Sequence, residues 1–400
     1  MSVKIAAEYL PKQLPPGAVV AVREYDEGRD KVEVEELERE CEVLGQQGKA
    51  SLVTDLMGDP ICRVRHFPHH IMLVAEYGEG EIVGMIRGCV KTVTRGNSVY
   101  VKLAYILGLR VSPTHRRLGI GTKLVQKLEE WCKEKGAEYA YMATDCTNEA
   151  SINLFTIKCA YKKFRTPTML VQPVHAHYKP IGSGHEIVKL TPQLAESIYR
   201  RIFANSEFFP RDMDNILRNK LNYGTFMAVQ KKYDWDPKAG VLPASFAILS
   251  VWNTKDVFKL QVKGVSALTY VGCMGTRLLD ACMPWLRLPS FPDVFRQFGV
   301  YVLYGLHMEG QDASRLMNSL CAFAHNLARD DVGCGAVVAE VGQRDPVREA
   351  IPHWKRFSWA EDMWCIKKLG DAGEKCEQSD DWMNYYQSSS SVIFVDPRDF

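Results

Sequence analysis

The 400-residue chain lacks the features that would send it to several common classes. It has no apolar run of membrane-spanning length, and its N-terminus, MSVKIAAEYLPKQLPPGAVV, has no apolar core of signal-peptide size, so an intracellular protein is expected. It has no excess of either charge: Lys plus Arg number 50 against 48 Asp plus Glu, a formal net charge of +2. No whole-chain field therefore favours direct binding of nucleic acid or membrane. Its twelve cysteines form no CxxC pair. Cys89, Cys132, Cys159, Cys273 and Cys321 stand in apolar stretches, as reduced, buried thiols do. Cys62, His66, His69 and His70 lack the paired spacing of metal ligands and border Pro68, so no metal is expected. Neither a GxGxxG dinucleotide loop nor a Walker A loop is present.

What the chain does have is material for packed cores: 46% hydrophobic and 10% aromatic residues, at a length that suits two domains. Alternation predicts strands at 18–25, 70–77, 82–93, 99–111, 138–144 and 161–171. A charged helix is predicted over 29–42, a loop over 46–69, and a hairpin turn at Gly78-Glu79-Gly80. Leu124, Val125, Leu128, Trp131 and Cys132 form one apolar face, a strongly amphipathic helix that stops at Gly136.

The second half repeats this order, with strands near 299–306, 335–341 and 357–367, a helix from 312 and a short helix near 346–354. An internal duplication is the natural reading of that order. Expected boundaries are an N-terminal segment at 1–17, a first domain at 18–174, a linker at 175–185 and a second domain at 186–370. An acidic, serine-rich and largely mobile tail is expected at 371–400.

Arg116-Arg117-Leu118-Gly119-Ile120-Gly121 lies between a strand and the amphipathic helix, where a phosphate-binding loop has to sit. The first amides of a helix have no intrahelical partner, and the helix dipole favours negative charge there. The two glycines admit a pyrophosphate close to the backbone, Thr122 adds a hydroxyl, and Arg116, Arg117 and Lys123 add charge-assisted donors. The corresponding stretch of the second half, Gly305 to Asp312, has no basic residue apart from His307 and carries Glu309 and Asp312, so one cofactor per chain is expected.

With Arg116, Gly119 and Gly121 in place of Arg/Gln-x-x-Gly-x-Gly/Ala, residues 18–171 resemble the GNAT superfamily. Leu109 to Pro113 and Asn148, Ser151, Leu154, Phe155 and Tyr161 are similar to its flanking segments. The stretches 51–66, 81–96 and 153–167 also look like the plant HOOKLESS proteins, a likeness over nearly the whole chain. The resemblance implies an α/β fold of tandem GNAT domains, each a mixed central sheet flanked by helices, the second degenerate. It further implies acetyl-CoA as co-substrate. Backbone groups of Leu109, Arg110 and Val111 would hold the pantetheine arm, with Asn148 and Phe155 also at the cofactor site. From the same likeness come a protein lysine acceptor, histone among the options, a nuclear location, and growth control in ethylene and auxin responses.

The chain departs from better-studied members at the catalytic positions. Tyr105 stands where histone-acetylating members carry Glu, and Phe155 stands in the segment that supplies many members with a Tyr acid. Tyr105 is a candidate acid, and Asp145, at the end of a strand, a candidate base. Other readings stay open: a small-molecule amine as acceptor, or a weakly catalytic, acetyl-CoA-binding scaffold that forms homo-oligomers.

Overall fold

Apolar alternation and helical periodicity lay down the first half as β1 (Val20–Glu24), α1 (Glu27–Leu44), β2 (Ser51–Asp55), β3 (His69–Tyr77), β4 (Glu81–Arg95) and β5 (Tyr100–Val111). There follow α2 (Ile120–Glu134), β6 (Tyr139–Asp145), α3 (Glu149–Asn153), β7 (Lys162–Arg165) and β8 (Thr168–Pro173). The second half begins with β9 (His185–Leu190), α4 (Pro192–Ile202), β10 (Glu207–Pro210), α5 (Met213–Arg218), β11 (Asn222–Gln230), β12 (Phe246–Asn253) and β13 (Lys259–Lys263). It continues through α6 (Ala267–Cys282), β14 (Gly299–Glu309), α7 (Ala313–Asp330), β15 (Cys334–Val341) and β16 (Asp362–Lys368). The structure is a computed structural model describing residues 20–44, 51–78, 80–232, 235, 241–355, 357–358, 362–370, 382–383 and 392–400. The expected N-terminal segment 1–17, Glu79 of the hairpin turn and Ser388 to Ser391 lie outside the described residues.

The strands form two large mixed sheets, in the orders β1-β3-β4-β5-β6-β16-β7, with β10 beside β4, and β8-β15-β14-β12-β11-β9. Each sheet contains one parallel pair, β5 with β6 and β14 with β15. Helix α2 covers the first sheet with Leu124, Val125, Leu128 and Cys132, all fully buried, while α1 packs Val34 and Leu37 on the opposite face. Burial of each such leucine contributes about 2 kcal/mol. In the second sheet α7 takes the place of α2, with Leu316, Leu320 and Ala324 buried.

Three expectations are corrected. The sheets do not follow the two halves of the chain: β8 pairs with β15 in the second sheet, while β16 returns to pair with β6 and β7 in the first. Residues 18–174 and 186–370 therefore exchange one strand each, and 175–185 connects the two edges of a single sheet, with His175 and His177 buried. Part of the expected loop 46–69 is strand β2, which pairs with β13. Its side chains are mostly half-buried, which leaves little periodic signal.

The third correction concerns the expected tail. Ile393, Phe394, Val395, Asp396, Pro397 and Arg398 are buried, and so is Trp382, whose indole donates to Glu207 Oε1 at 2.8 Å. The Phe394 amide donates to the Glu207 carbonyl at 2.8 Å, and the Glu207 amide to the Val392 carbonyl at 3.0 Å. Residues 392–400 form a strap whose apolar side chains fill the space between the two sheets.

Candidate functional site

Strands β5 and β6 run parallel from Leu103–Tyr139 to Ile106–Met142 and then part. A bulge produces the divergence. Gly108 adopts φ +63°, and the register with β4 shifts between Met85 and Arg87. Beyond it, Arg110 and Val111 still pair with Met85 and Gly84 on one side. The edge of Leu109, Arg110 and Val111 that faces β6 is thus left for another partner. Val111 O accepts from the Cys41 thiol of α1 at 3.5 Å; burial raises that thiol's pKa although Arg110 and Arg116 are close.

The loop from β5 to α2 carries two left-handed residues, Arg117 at φ +66° and Gly119 at φ +79°. They turn the chain so that Gly119 caps α2. A side chain on Gly119 would meet nothing within 4 Å, so the ground in front of the helix N-terminus is open. Gly121 is tighter: a Cβ there would lie 3.3 Å from Leu154 Cδ2 and 3.8 Å from Leu109 and Val111. Arg116 and Arg117 are exposed beside this opening; Leu118 and Thr122 are half-buried, and Ile120 is in the core. Lys123 points elsewhere, donating to the Val20 carbonyl of β1.

The remaining expected residues have structural partners. Asn148 caps α3, its Oδ1 accepting from Ser151 N at 3.2 Å, and donates from Nδ2 to Thr144 Oγ1 at 3.2 Å. Phe155 is buried edge-on to Tyr161. Asp145 is exposed at the end of β6, with Oδ1 accepting from Thr147 N at 2.6 Å and Thr147 Oγ1 at 2.5 Å. Tyr105 is buried on the face away from α2, stacked on Tyr141 at 4.6 Å, with its hydroxyl 3.4 Å from the Asp399 carbonyl. Burial holds that hydroxyl well above the ordinary tyrosine range. Asp145 and Tyr105 are thus not brought together: one is at the open end of β6, the other inside. Among the described residues no group of three metal-ligating side chains is placed to hold a metal ion.

An unexpected charged cluster lies beneath Tyr105. Lys91 Nζ donates to both carboxylate oxygens of Asp399, at 2.6 and 2.8 Å, and lies 3.5 Å from Asp396. Tyr141 donates to Asp399 at 2.8 Å. Arg398 joins Asp396 to Asp212 through bidentate contacts of 2.7 to 3.0 Å. Burial opposes the charge on Lys91, but Asp399 and Asp396 outweigh it and raise its pKa. Nearby Glu340 has no ion pair among the described residues, and burial, with Asp362 and Asp399 adding to it and outweighing Trp364 and Lys91, pushes its carboxyl up to about 8. The sequence signal for this strap was the apolar run Val392 to Val395 followed by Asp-Pro-Arg-Asp.

The second sheet repeats the divergence but not the opening. Strands β14 and β15 part after Leu303–Ala339, and Gly305 has φ +60°. Here Ile393, Phe394 and Val395 stand against Tyr304, Gly305, Leu306, Glu340 and Val341, leaving a cavity of about 10 Å³. In front of α7, a Cβ on Gly310 would lie 2.4 Å from the Ala244 carbonyl oxygen and 2.6 Å from Ser245 Cα. The Asp312 amide donates to Ser245 Oγ at 3.3 Å.

Residues 33–161 match the model of the Acetyltransferase (GNAT) family. Over 96% of this chain and 100% of its own length, the Arabidopsis thaliana protein described as "Probable N-acetyltransferase HLS1" is 51% identical. "Acetyl transferase GW6a" of Oryza sativa subsp. japonica is 44% identical over 96% of this chain and 98% of its own length. Among solved structures, Saccharomyces cerevisiae N-myristoyltransferase with bound myristoyl-CoA is similar at a TM-score of 0.54 and 11% identity, covering 91% of this chain and 81% of its own. At that identity the likeness is one of fold.

Proposed function

The chain belongs to the GNAT acetyltransferases, and from that membership we propose that it transfers acetyl from acetyl-CoA to a lysine amine of a protein acceptor. The observation that carries this reading is the contrast between the two helix N-termini: the loop at Gly119 is open and flanked by Arg116 and Arg117, while the loop at Gly310 is packed against Ala244 and Ser245. Only the first offers unpaired amides to a pyrophosphate. Beside it, the edge of Leu109 to Val111 that β6 does not pair suits the amides of a pantetheine arm, and an N–H at that edge can stabilise the oxyanion that forms on the acetyl carbonyl. In the transfer, the amine nitrogen bonds to the acetyl carbon, the C–S bond breaks, and CoA departs as a thiolate that then takes up a proton.

Helix α1, which runs beside Val111, is rich in glutamate, and this favours a cationic acceptor. Asp145 is the proposed base: its Oδ1 holds the turn, while Oδ2 has no hydrogen bond among the described residues. By likeness to the HOOKLESS proteins, the proposal extends to a nuclear acceptor, histone among the candidates, in growth control by ethylene and auxin. The test is release of CoA by the purified protein with lysine-containing basic peptides, a panel of small amines, and buffer. Peptide-dependent release is expected; release that only small amines stimulate would refute the protein acceptor. In the same assay Asp145→Asn should lower kcat at least about tenfold with acetyl-CoA binding unchanged, and Tyr105→Phe should matter less.

A further inference from the structure

Lys91 and Lys179 both lose contact with water, and the fold treats them in opposite ways. Lys91 is fully buried and meets the carboxylates of Asp399 and Asp396. Lys179, in the segment between β8 and β9, is half-buried, and among the described residues its Nζ makes no hydrogen bond and no ion pair. Its backbone is clamped to α7: the Lys179 amide donates to Asn326 Oδ1 at 2.8 Å, and Asn326 Nδ2 donates to the Lys179 carbonyl at 2.9 Å. The titratable groups that share its surroundings are Cys321 and His325 of α7 and His175 of its own segment. Burial pushes the thiol up to about 12 and the two imidazoles down to about 3 and 4, so all three are neutral near pH 7. The charged groups around them are already engaged. Asp330 accepts from Tyr178 and Arg329, and Asp280 of α6 accepts from the His177 ring, Ser290 and the Ala176 amide. Arg277 and Arg329 donate to the Val174 and Ala176 carbonyls. With no counter-charge to oppose it, burial favours the neutral amine and brings Lys179 down to about 8 from an ordinary 10.5.

We propose that Lys179 is itself a site of acetylation, modified directly by acetyl-CoA from solution without help from the loop at Gly119. The neutral Nζ bonds to the thioester carbon, the C–S bond breaks, the nitrogen gives up its proton to solvent, and CoA leaves as a thiolate. Only the neutral amine has the lone pair for this attack. At pH 8 about half of an amine with that pKa is neutral, against roughly 0.4% of an ordinary lysine. A weaker base is also a weaker nucleophile, which takes back part of this gain. Access is open from one side: Tyr178 and Pro180, the two neighbours in the chain, are exposed, and Lys179 is only half-buried between them. The product is uncharged, as surroundings that hold no partner for a cation favour. The proposal does not rest on the transfer of acetyl to a protein acceptor, and it survives if that reading fails.

The test is incubation of the full chain, and of its Gly121→Asp variant, with acetyl-CoA at pH 8, acetylation of each lysine being followed by peptide mass spectrometry. Lys179 should be modified at least about tenfold faster than the exposed Lys158, and at the same rate in both proteins. Trace labelling with acetic anhydride gives a second readout that needs no cofactor site. Labelling of Lys179 should level off above about pH 8, while that of N-α-acetyl-lysine added as an internal standard still climbs at about pH 9.5. Lys179 modified no faster than Lys158, modified only in the protein with an intact Gly121, or labelled with the profile of the standard would each overturn the proposal.

Discussion

A carboxyl group buried without a cation is a measurable liability. Glu340 lies between the sheets with its pKa raised to about 8 from an ordinary 4.5, so the folded protein holds a proton there that the unfolded chain releases near pH 4.5. Its contribution to stability is complete below about pH 4.5, declines as pH rises, and is lost once the pH passes about 8. Glu340→Gln keeps the neutral form at every pH and should be more stable than the parent by about 3 kcal/mol near pH 7, and by less toward pH 5. Urea midpoints of the two proteins from pH 5 to about pH 8.5 check this; a constant difference would show that Glu340 is already ionised in the fold. Gly121 makes the opposite kind of demand, for space without charge. Gly121→Asp would crowd Leu154 and put a carboxylate at the N-terminus of α2, so acetyl-CoA should bind at least about tenfold more weakly by calorimetry. Unchanged affinity in a folded variant would remove this loop from the site.

The two loops that precede α2 and α7 follow one plan, yet they differ in what stands before them. With Ala244 and Ser245 against Gly310 and the strap inside the divergence of β14 and β15, described residues of the second half fill the two places that stand open in the first. One acetyl-CoA per chain is expected in native mass spectrometry at saturation, lost on Gly121→Asp; two would show that the second loop opens. The sequence predicted this asymmetry from Glu309 and Asp312, but the larger causes, Ala244 and Phe394, are distant in the chain. The loop Arg116 to Gly121 was legible because its glycines, its arginines and the helix behind them are contiguous. Strands β8 and β16 were legible as strands but not as an exchange, because alternation records which face is buried and says nothing about the partner across the ladder. Residues 392–400 were hidden by composition, since the acidic and polar residues before them outweigh the short apolar run.

For the whole molecule the exchange of β8 and β16 removes any place to divide it. Residues 18–174 alone would lack β16 between β6 and β7 and would leave β8 without β15; residues 186–370 alone would leave β15 without β8. Neither segment is expected to be soluble or to bind acetyl-CoA by itself, whereas the two expressed together, with the second extended to 400, should copurify. Soluble, acetyl-CoA-binding 18–174 would contradict the exchange. The same feature bears on biosynthesis. The edge of β6 that β16 covers is made about 220 residues before its partner, a delay of roughly 10–40 s at usual elongation rates, during which a strand of a nascent sheet is left unpaired. Sheets closed by such distant contacts form slowly, and an open edge recruits other chains. A holding chaperone at the ribosome is thus built into the demands of this topology, and yield in a heterologous host should respond to elongation rate and temperature more than to changes in the site.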